Sequence, residues 1–204
     1  MSFFISTAVF DNIADELACR GWAVTPDFLP DDCIAQLAQD TRHSHTHGEM
    51  HHASISKSRI INHELRGDEI AWLSDCLTDA QKSYLECMES LRQSLNRSLQ
   101  LGLFEYESHM ALYPVGSFYR KHLDNFQRSN QRVLTSILYL NHDWQATDGG
   151  QLRMYLGDSE MEVSPGAGTL VTFLSDRFWH EVLPANRERL SITGWFKQRG
   201  NPTL

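Results

Sequence analysis

The sequence has no long apolar run and no excess of positive charge. No apolar stretch approaches the roughly 20 residues that a membrane-spanning helix needs. The first residues lack the basic segment and apolar run of a secretory leader. Lys and Arg number 18 against 26 Asp and Glu, for a formal net charge of −8, whereas nucleic-acid-binding proteins usually carry clustered basic residues. We therefore expect a cytoplasmic protein with no membrane and no nucleic-acid partner.

Cysteine is also scarce. The chain has neither the close cysteine pairs of a zinc site nor the dense spacing of a disulfide scaffold, and we expect reduced thiols at its four cysteines, Cys19, Cys33, Cys76 and Cys87. A length of 204 residues with 41% apolar residues suffices for one domain with its own core. The prediction is a single domain over 1–204, helical to about residue 103 and followed by a β-core at about 104–199.

Helical periodicity is confined to the first half of the chain. Apolar spacing predicts helices at 11–20, from near Pro30, and at about 79–101, where Thr78 begins a capping box. From His43 to Ile60 no apolar period is sustained, which predicts a mobile loop in a position to lie over a binding site.

After residue 103 the apolar period changes to two. Short strand-like runs, separated by Gly, Pro, Asn and Asp, occur at 107–114, 132–140, 150–156, 168–174 and 189–197. Helices followed by about eight short strands predict an α+β fold that is mainly β, with a sandwich or barrel buttressed on one side by the N-terminal helices.

Two histidines and an aspartate have the spacing of a metal site. His122-Leu123-Asp124 follows the strand-like run from Ser117 to Lys121, and side chains two residues apart on a strand point the same way. His180 ends the run from Leu170 to Trp179, at the edge of another predicted strand. Two neutral histidines and a carboxylate fill three positions of an octahedral iron(II) and leave three open, so iron is favoured over zinc. Because histidine must be neutral to bind iron, we expect metal affinity to fall as the pH drops through about 6.5.

An arginine follows the second histidine at a short distance. Arg189 begins a strand-like run in which Arg189, Ser191 and Thr193 share one face. A guanidinium inside a barrel needs an anionic partner, because an unpaired buried charge is very unfavourable, and its planar fork matches a carboxylate. The 5-carboxylate of 2-oxoglutarate would be such a partner.

Each of these residues also has a purely structural interpretation. His122 and His180 would be polar residues at strand ends, and Arg189 a surface charge paired with Glu181 or Glu188. Chance rarely produces the order His-x-Asp, His and Arg on β-segments. The joint interpretation is therefore a metal site with an anion-binding arginine.

Longer segments resemble the iron(II)- and 2-oxoglutarate-dependent prolyl 4-hydroxylases of the hypoxia-sensing type. They cover most of the chain: Arg66 to Trp72, Tyr113 to Asp124, Tyr139 to Asn141, Gly149 to Arg153, Phe173 to Arg177, His180 to Ala185 and Arg189 to Trp195. The resemblance implies a double-stranded β-helix, which is a jelly-roll, cupin-like core.

The resemblance also implies roles for individual residues. The expected iron ligands, which form the catalytic centre, are His122, Asp124 and His180. The residues expected to bind 2-oxoglutarate are Arg189, Tyr139, Tyr113, Thr193 and Ser191. The residues expected beside the substrate are Tyr119, Arg132, Arg66 and Asp68. Dioxygen is the second cosubstrate, and ascorbate is expected as a further cofactor.

Several of these positions have alternatives or departures. Tyr113 would otherwise be an aromatic core contact, and the charges of Arg66, Asp68 and Arg132 would form surface ion pairs. Collagen-type hydroxylases have Lys where this chain has Arg189, so the chain looks closer to the hypoxia-sensing branch. Leu138 stands where the human enzyme has Tyr, a difference that affects the shape of the pocket.

The predicted function is hydroxylation of a prolyl residue in a protein, with succinate and CO2 as coproducts. A bacterial member of the family acts on elongation factor Tu, which makes that protein the expected partner of a monomeric enzyme. The alternatives are a hydroxylase of a free amino acid or other small molecule, a nucleic-acid demethylase, and a metal- or ligand-sensing β-barrel without turnover. The histidines between His43 and His52 have two interpretations, a second metal site or a solvated flexible loop, of which the loop is favoured.

Overall fold

Two antiparallel sheets and three α-helices make up the described residues of the computed structural model, which are 5–53, 65–125 and 131–200. The helices are α1 (Thr7–Arg20), α2 (Asp31–Thr46) and α3 (Asp79–Leu99). The strands are β1 (Trp22–Thr25), β2 (His51–His52), β3 (Glu69–Trp72), β4 (Leu103–Tyr113), β5 (Tyr119–His122), β6 (Arg132–Tyr139), β7 (Leu152–Leu156), β8 (Ser159–Val163), β9 (Leu170–Leu174), β10 (Trp179–Val182) and β11 (Arg189–Gln198).

The two sheets pack face to face. The larger has the strand order β1-β9-β6-β11-β4-β3-β2, and the smaller has the order β5-β10-β7-β8. One buried cluster joins apolar side chains of both sheets: Ile137, Tyr139, Leu152, Met154, Val163, Val171, Phe173 and Phe178. The predicted double-stranded β-helix, mainly β in content, is confirmed.

The helices cover the other face of the larger sheet. Strand β11 shows the division, because its side chains alternate between the two faces. Leu190 and Ile192 belong to the core cluster shared with the helices, whereas Arg189 and Ser191 point into the space between the sheets. The same alternation on β6 places Tyr139 in that space. The N-terminal helices therefore buttress one side of the core, as predicted.

Two helix termini follow the signals in the sequence. Helix α1 ends at Gly21, which has a φ of 85° and donates its N–H to the Leu17 carbonyl. Helix α3 begins with the predicted capping box, in which Thr78 and Gln81 each accept a hydrogen bond from the other's backbone N–H.

The predicted loop from His43 to Ile60 is wrong in part. Helix α2 continues to Thr46, and His51–His52 form a short strand paired with β3. The buried face of α2 continues through polar residues, Thr41 and Ser44. The Thr41 hydroxyl is buried because it donates a hydrogen bond to the Leu37 carbonyl. A search for apolar periodicity therefore could not find the last turns of this helix. The rest of the predicted loop, residues 54–60, lies outside the described residues.

The predicted run from Leu170 to Trp179 divides into two strands that belong to different sheets. Strand β9 lies in the larger sheet and β10 in the smaller, with a turn between them. His180 therefore lies within β10 rather than at the edge of a strand. The other predicted strands are confirmed to within a few residues.

All four cysteines are free, as expected. Burial raises the pKa of the Cys33 thiol to about 11 and that of the Cys87 thiol to about 12, so both stay protonated. Of the helices in the described ranges, none combines the length and apolar character that crossing a membrane requires.

Candidate active site

His122, Asp124 and His180 meet in the space between the two sheets. His122 on β5 and His180 on β10 are cross-strand partners. One ligand atom from each of the three residues lies within 4.8 Å of the other two. The Nε2 atoms of His122 and His180 lie 3.6 Å and 3.8 Å from the two carboxylate oxygens of Asp124. This donor set fits iron(II), because two imidazoles and one carboxylate leave three coordination positions open.

Backbone carbonyls orient both imidazoles for this role. The Nδ1 atom of His122 lies 2.8 Å from the Arg120 carbonyl oxygen, and that of His180 lies 3.0 Å from the Phe178 carbonyl oxygen. A carbonyl oxygen only accepts, so each Nδ1 carries the proton and each Nε2 presents a lone pair.

A threonine holds the carboxylate ligand. The Thr135 hydroxyl donates to Oδ2 of Asp124 at 2.6 Å and lies 2.9 Å from the Ser175 hydroxyl. Burial alone would raise the pKa of Asp124, but His180, His122 and the Thr135 hydroxyl hold it well below its ordinary value. The carboxylate is therefore ionised and fixed. Nothing in the sequence singled out Thr135.

Arg189 is buried without an anionic partner in the described part of the chain. Its side chain is 1% exposed. Its Nε donates to the Gly150 carbonyl at 2.9 Å and its Nη1 to the Ser191 hydroxyl at 3.5 Å. Its Nη2 has no hydrogen-bond partner among the described residues. The alternative ion pairs are wrong, because Glu181 bonds Arg153 and Tyr155, and Glu188 pairs with Arg42.

Two tyrosines surround this guanidinium. The Arg189 Cζ atom lies 4.9 Å from the ring centroid of Tyr113 and 5.0 Å from that of Tyr139. The Tyr139 hydroxyl also has no hydrogen-bond partner in the described ranges. Burial raises the pKa of Tyr139 to about 12, although the charge of Arg189 and its close approach to the phenol lower it, so the hydroxyl stays protonated and can donate. Two unused donors beside one another fit a carboxylate.

A glycine lets the Arg189 side chain pack closely against the backbone at Gly150. Gly150 has a φ of 68°, and a Cβ atom there would lie 3.1 Å from the Arg189 Cδ atom. Ser191 lies beside Arg189 and is the cross-strand partner of Tyr139. Thr193 lies further along the same face of β11, paired with Ile137 and His109. Thr193 is therefore farther along β11 from Arg189 than Ser191 is.

The predicted substrate residues fall into two places. Arg66 and Asp68 form a bidentate ion pair, in which Nε and Nη2 of Arg66 donate to Oδ1 and Oδ2 of Asp68 at 2.7 Å and 2.5 Å. The Arg66 guanidinium lies 4.3 Å from the Tyr119 ring centroid, and that ring stacks on His122 at 3.7 Å. The Arg66 and Asp68 side chains are 12% and 0% exposed, so the alternative of a surface pair is wrong for these two. Arg132 lies elsewhere, on β6.

A row of flat side chains at Arg132 was not anticipated. The Arg132 guanidinium lies 3.5 Å from the Trp195 ring centroid and pairs with Glu107 at 3.0 Å. Trp195 also lies beside His109 and Trp72, at centroid distances of 5.4 Å and 6.4 Å, and the His109 and Trp72 centroids are 5.0 Å apart. Their distant positions in the sequence gave no signal of this contact.

Burial keeps two histidines neutral. It lowers the pKa of His180 to about 4, with the neighbouring His122 adding to the effect, and lowers the pKa of His109 to about 3. The sequence predicted that metal affinity falls as the pH drops through about 6.5. For His180 this pH is too high, because the buried imidazole stays neutral down to about pH 4. Between about pH 4 and 6.5 the unfolded chain binds more protons than the folded chain, so stability is lost as the pH falls.

Lowering the pH from 7 to 5 should therefore destabilise the metal-free protein by about 2 kcal/mol for each of these two histidines. The variant His109→Met should lose about 2 kcal/mol less than wild type over the same interval. Urea unfolding at the two pH values measures this difference. An equal loss in both proteins would show that His109 is not a buried neutral group.

Comparisons of this chain with known sequences and solved structures indicate the same kind of metal site. Residues 108–197 match the family model described as the 2OG-Fe(II) oxygenase superfamily. The chain is 45% identical to the solved Pseudomonas putida prolyl-4-hydroxylase, with a TM-score of 0.86 over 94% of this chain and 100% of that one. The chain belongs to the 2OG-Fe(II) oxygenase superfamily. This oxygenase family uses iron(II), 2-oxoglutarate and dioxygen, so those predicted cofactors are confirmed.

Two further relatives of this oxygenase are prolyl hydroxylases. It is 30% identical to the hypoxia-inducible factor prolyl hydroxylase of Caenorhabditis elegans, over 88% of this chain and 27% of that one. The oxygenase thus spans about a quarter of that relative's length. It is 28% identical, with a TM-score of 0.88, to a Trichoplax adhaerens prolyl hydroxylase solved with a hypoxia-inducible factor peptide, over 94% of this chain and 90% of that one.

Proposed function

We propose that this oxygenase hydroxylates C4 of a prolyl residue in a protein substrate. 2-Oxoglutarate and dioxygen would be converted to succinate and CO2, with one oxygen atom entering the C4–H bond and the other entering succinate. The observation that carries the proposal is the pair of unused donors on Arg189 and Tyr139, in the same inter-sheet space as the His-Asp-His triad. The similarity to prolyl hydroxylases supports proline as the target.

The triad would hold the metal. His122 and His180 would bind iron(II) through Nε2 and Asp124 through a carboxylate oxygen, while Thr135 keeps that carboxylate in place. Bound iron(II) supplies dioxygen activation coupled to oxidative decarboxylation of the cosubstrate.

Arg189 and Tyr139 would bind the 5-carboxylate of 2-oxoglutarate. The guanidinium offers Nη2 and the phenol offers its hydroxyl, so both buried donors are satisfied only when the carboxylate is present. Ser191 and Tyr113 form the wall around this end, and Thr193 continues it along β11. Because water is excluded, the ionic contact is stronger than at a surface.

The substrate side would be formed by Tyr119, Arg66, Asp68 and Arg132. The Arg66–Asp68 pair fixes Tyr119 against His122, so the wall beside the metal is rigid. Arg132 lies over Trp195, which is the cross-strand partner of Thr135. A rigid pocket positions the target C–H bond and excludes water, which are the two contributions expected of the protein.

Mass spectrometry of proteins from a lysate tests the proposal. Incubation with the wild-type enzyme, iron(II) and 2-oxoglutarate should add about 16 mass units, one oxygen atom, to a prolyl residue. Elongation factor Tu is the first candidate substrate that we propose. The Asp124→Ala variant, treated identically, should add none.

Two further measurements distinguish the alternative functions. Succinate release stimulated by free proline, but by no protein, would favour a small-molecule hydroxylase. Absence of any 2-oxoglutarate binding by the iron-loaded protein would favour a metal sensor. Dependence on ascorbate, a monomeric state, a single domain and a cytoplasmic location stay predictions.

A further inference from the structure

Four flat side chains form a row on the inner face of the larger sheet. Trp72, His109, Trp195 and Arg132 lie on the adjacent strands β3, β4, β11 and β6, and we call this set the aromatic row. The His109 ring lies 5.0 Å from Trp72 and 5.4 Å from Trp195 between centroids, and the two tryptophan rings lie 6.4 Å apart. The Arg132 guanidinium lies 3.5 Å from the Trp195 centroid. Trp72 is 44% exposed, so the row reaches the surface.

The aromatic row borders the triad on the side away from the cosubstrate anchor. Trp195 is the cross-strand partner of Thr135, which donates to Asp124. Arg189 lies at the opposite end of the same face of β11, paired with Tyr113. A peptide that reached the metal past Trp72 would therefore lie beside His109 and Trp195, whereas 2-oxoglutarate would lie at the far end of this face.

Two buried nitrogen atoms of the aromatic row have no hydrogen-bond partner among the described residues. His109 is 4% exposed and Trp195 is 6% exposed, and neither His109 Nδ1 nor Trp195 Nε1 has a hydrogen-bond partner among the described residues. A buried polar group without a hydrogen-bond partner is energetically unfavourable. Nothing in the proposed chemistry at the triad or at Arg189 uses either atom.

The chemistry of the two groups indicates what would bind there. Burial keeps His109 neutral, and a neutral imidazole has one donor and one acceptor nitrogen, whereas an indole N–H only donates. The main chain of a peptide offers both partners, because its C=O can accept from the Trp195 indole and its N–H can donate to the acceptor nitrogen of His109.

We propose that His109 is a specificity-determining residue, which together with Trp195 hydrogen-bonds the main chain of the peptide next to the target proline. This inference rests on the proposed hydroxylation of a protein. His109 is assigned no part in binding metal or 2-oxoglutarate, so its contribution is confined to peptide affinity and sequence preference.

A library of short synthetic peptides with a central proline tests the inference in the full-length enzyme. Hydroxylation is read by mass spectrometry, and KM and kcat are then measured for the best peptide. His109→Met should raise the peptide KM about 10-fold or more, as expected for one lost buried hydrogen bond, with kcat within about twofold. Succinate formation without peptide and the half-saturating 2-oxoglutarate concentration should stay unchanged.

Two further variants and a matched control complete the test. The amide nitrogens of His109→Asn and His109→Gln can take the places of Nδ1 and Nε2, so at least one should restore most of the peptide affinity. His142 also has a buried ring nitrogen without a hydrogen-bond partner among the described residues, but lies beside Asp31 rather than in the aromatic row. His142→Met should leave peptide KM and preference unchanged.

The outcomes are distinguishable. If His109→Met keeps the wild-type peptide KM and sequence preference, the inference is overturned while the proposed function stands, and the ring nitrogen then bonds water only. Equal losses in kcat and in peptide-independent turnover would also overturn it, because they show a structural role. A wild-type enzyme that hydroxylates no peptide of the library and no protein would overturn the proposed function itself, and the inference with it.

Discussion

Replacing Asp124 with Ala is expected to lower 2-oxoglutarate turnover by about three powers of ten or more, a loss of at least about 4 kcal/mol. Asp124 is the sole carboxylate among the described residues that form the metal-binding group, and Thr135 holds it ionised in place. Its removal leaves two imidazoles, which are too few to hold iron(II) firmly with an open site. Succinate release in air-saturated buffer and iron affinity under anaerobic conditions report the two losses separately.

A matched aspartate provides the control for that substitution. Asp176 is exposed in the turn between β9 and β10, a few residues from His180, and Asp176→Ala should keep wild-type turnover. Circular dichroism should show that both variants are folded. Wild-type turnover in Asp124→Ala would remove this residue from the metal site.

Replacing Arg189 with Ala is expected to raise the half-saturating 2-oxoglutarate concentration roughly 100-fold, which corresponds to about 3 kcal/mol of lost binding. The guanidinium is buried and its Nη2 has no partner among the described residues, so the cosubstrate carboxylate would be its natural acceptor. Iron affinity should be retained, because Arg189 is not among the triad residues. Titration of cosubstrate at saturating iron measures the effect.

Arg187 is the matched control for Arg189. Its guanidinium is partly exposed and pairs with Asp148 at 3.2 Å, outside the space between the sheets. Arg187→Ala should leave the cosubstrate requirement unchanged. If both arginine variants showed the same modest increase, a general electrostatic effect of the two cations would explain it, and Arg189 would not be the carboxylate anchor.

The triad and Arg189 could be predicted from the sequence because each lies on a segment with its own local pattern. His122 and Asp124 stand two residues apart at the end of one strand-like run, and Arg189 begins a run with clear alternation. Thr135, His109 and Trp195 could not be found in this way. They come together only through the register of β4, β11 and β6, and local periodicity carries no information about which strands become neighbours.

The architecture was predictable for a similar reason. The change of apolar period near residue 103 separates the helices from most of the strands, and it lies between the end of α3 and the start of β4. The short strands β1, β2, β3 and β8 were missed, because runs of two to five residues show too little alternation. The end of α2 was missed because Asp40, Thr41 and Ser44 are buried polar residues.

Calorimetric titration of 2-oxoglutarate into the anaerobic, iron(II)-loaded protein tests the central claim most directly. We expect one molecule to bind per chain, and we expect binding to weaken sharply when iron is omitted or when His180 is replaced by Ala, because the cosubstrate would contact both the metal and Arg189. Equal affinity with and without iron would contradict a shared site for metal and cosubstrate.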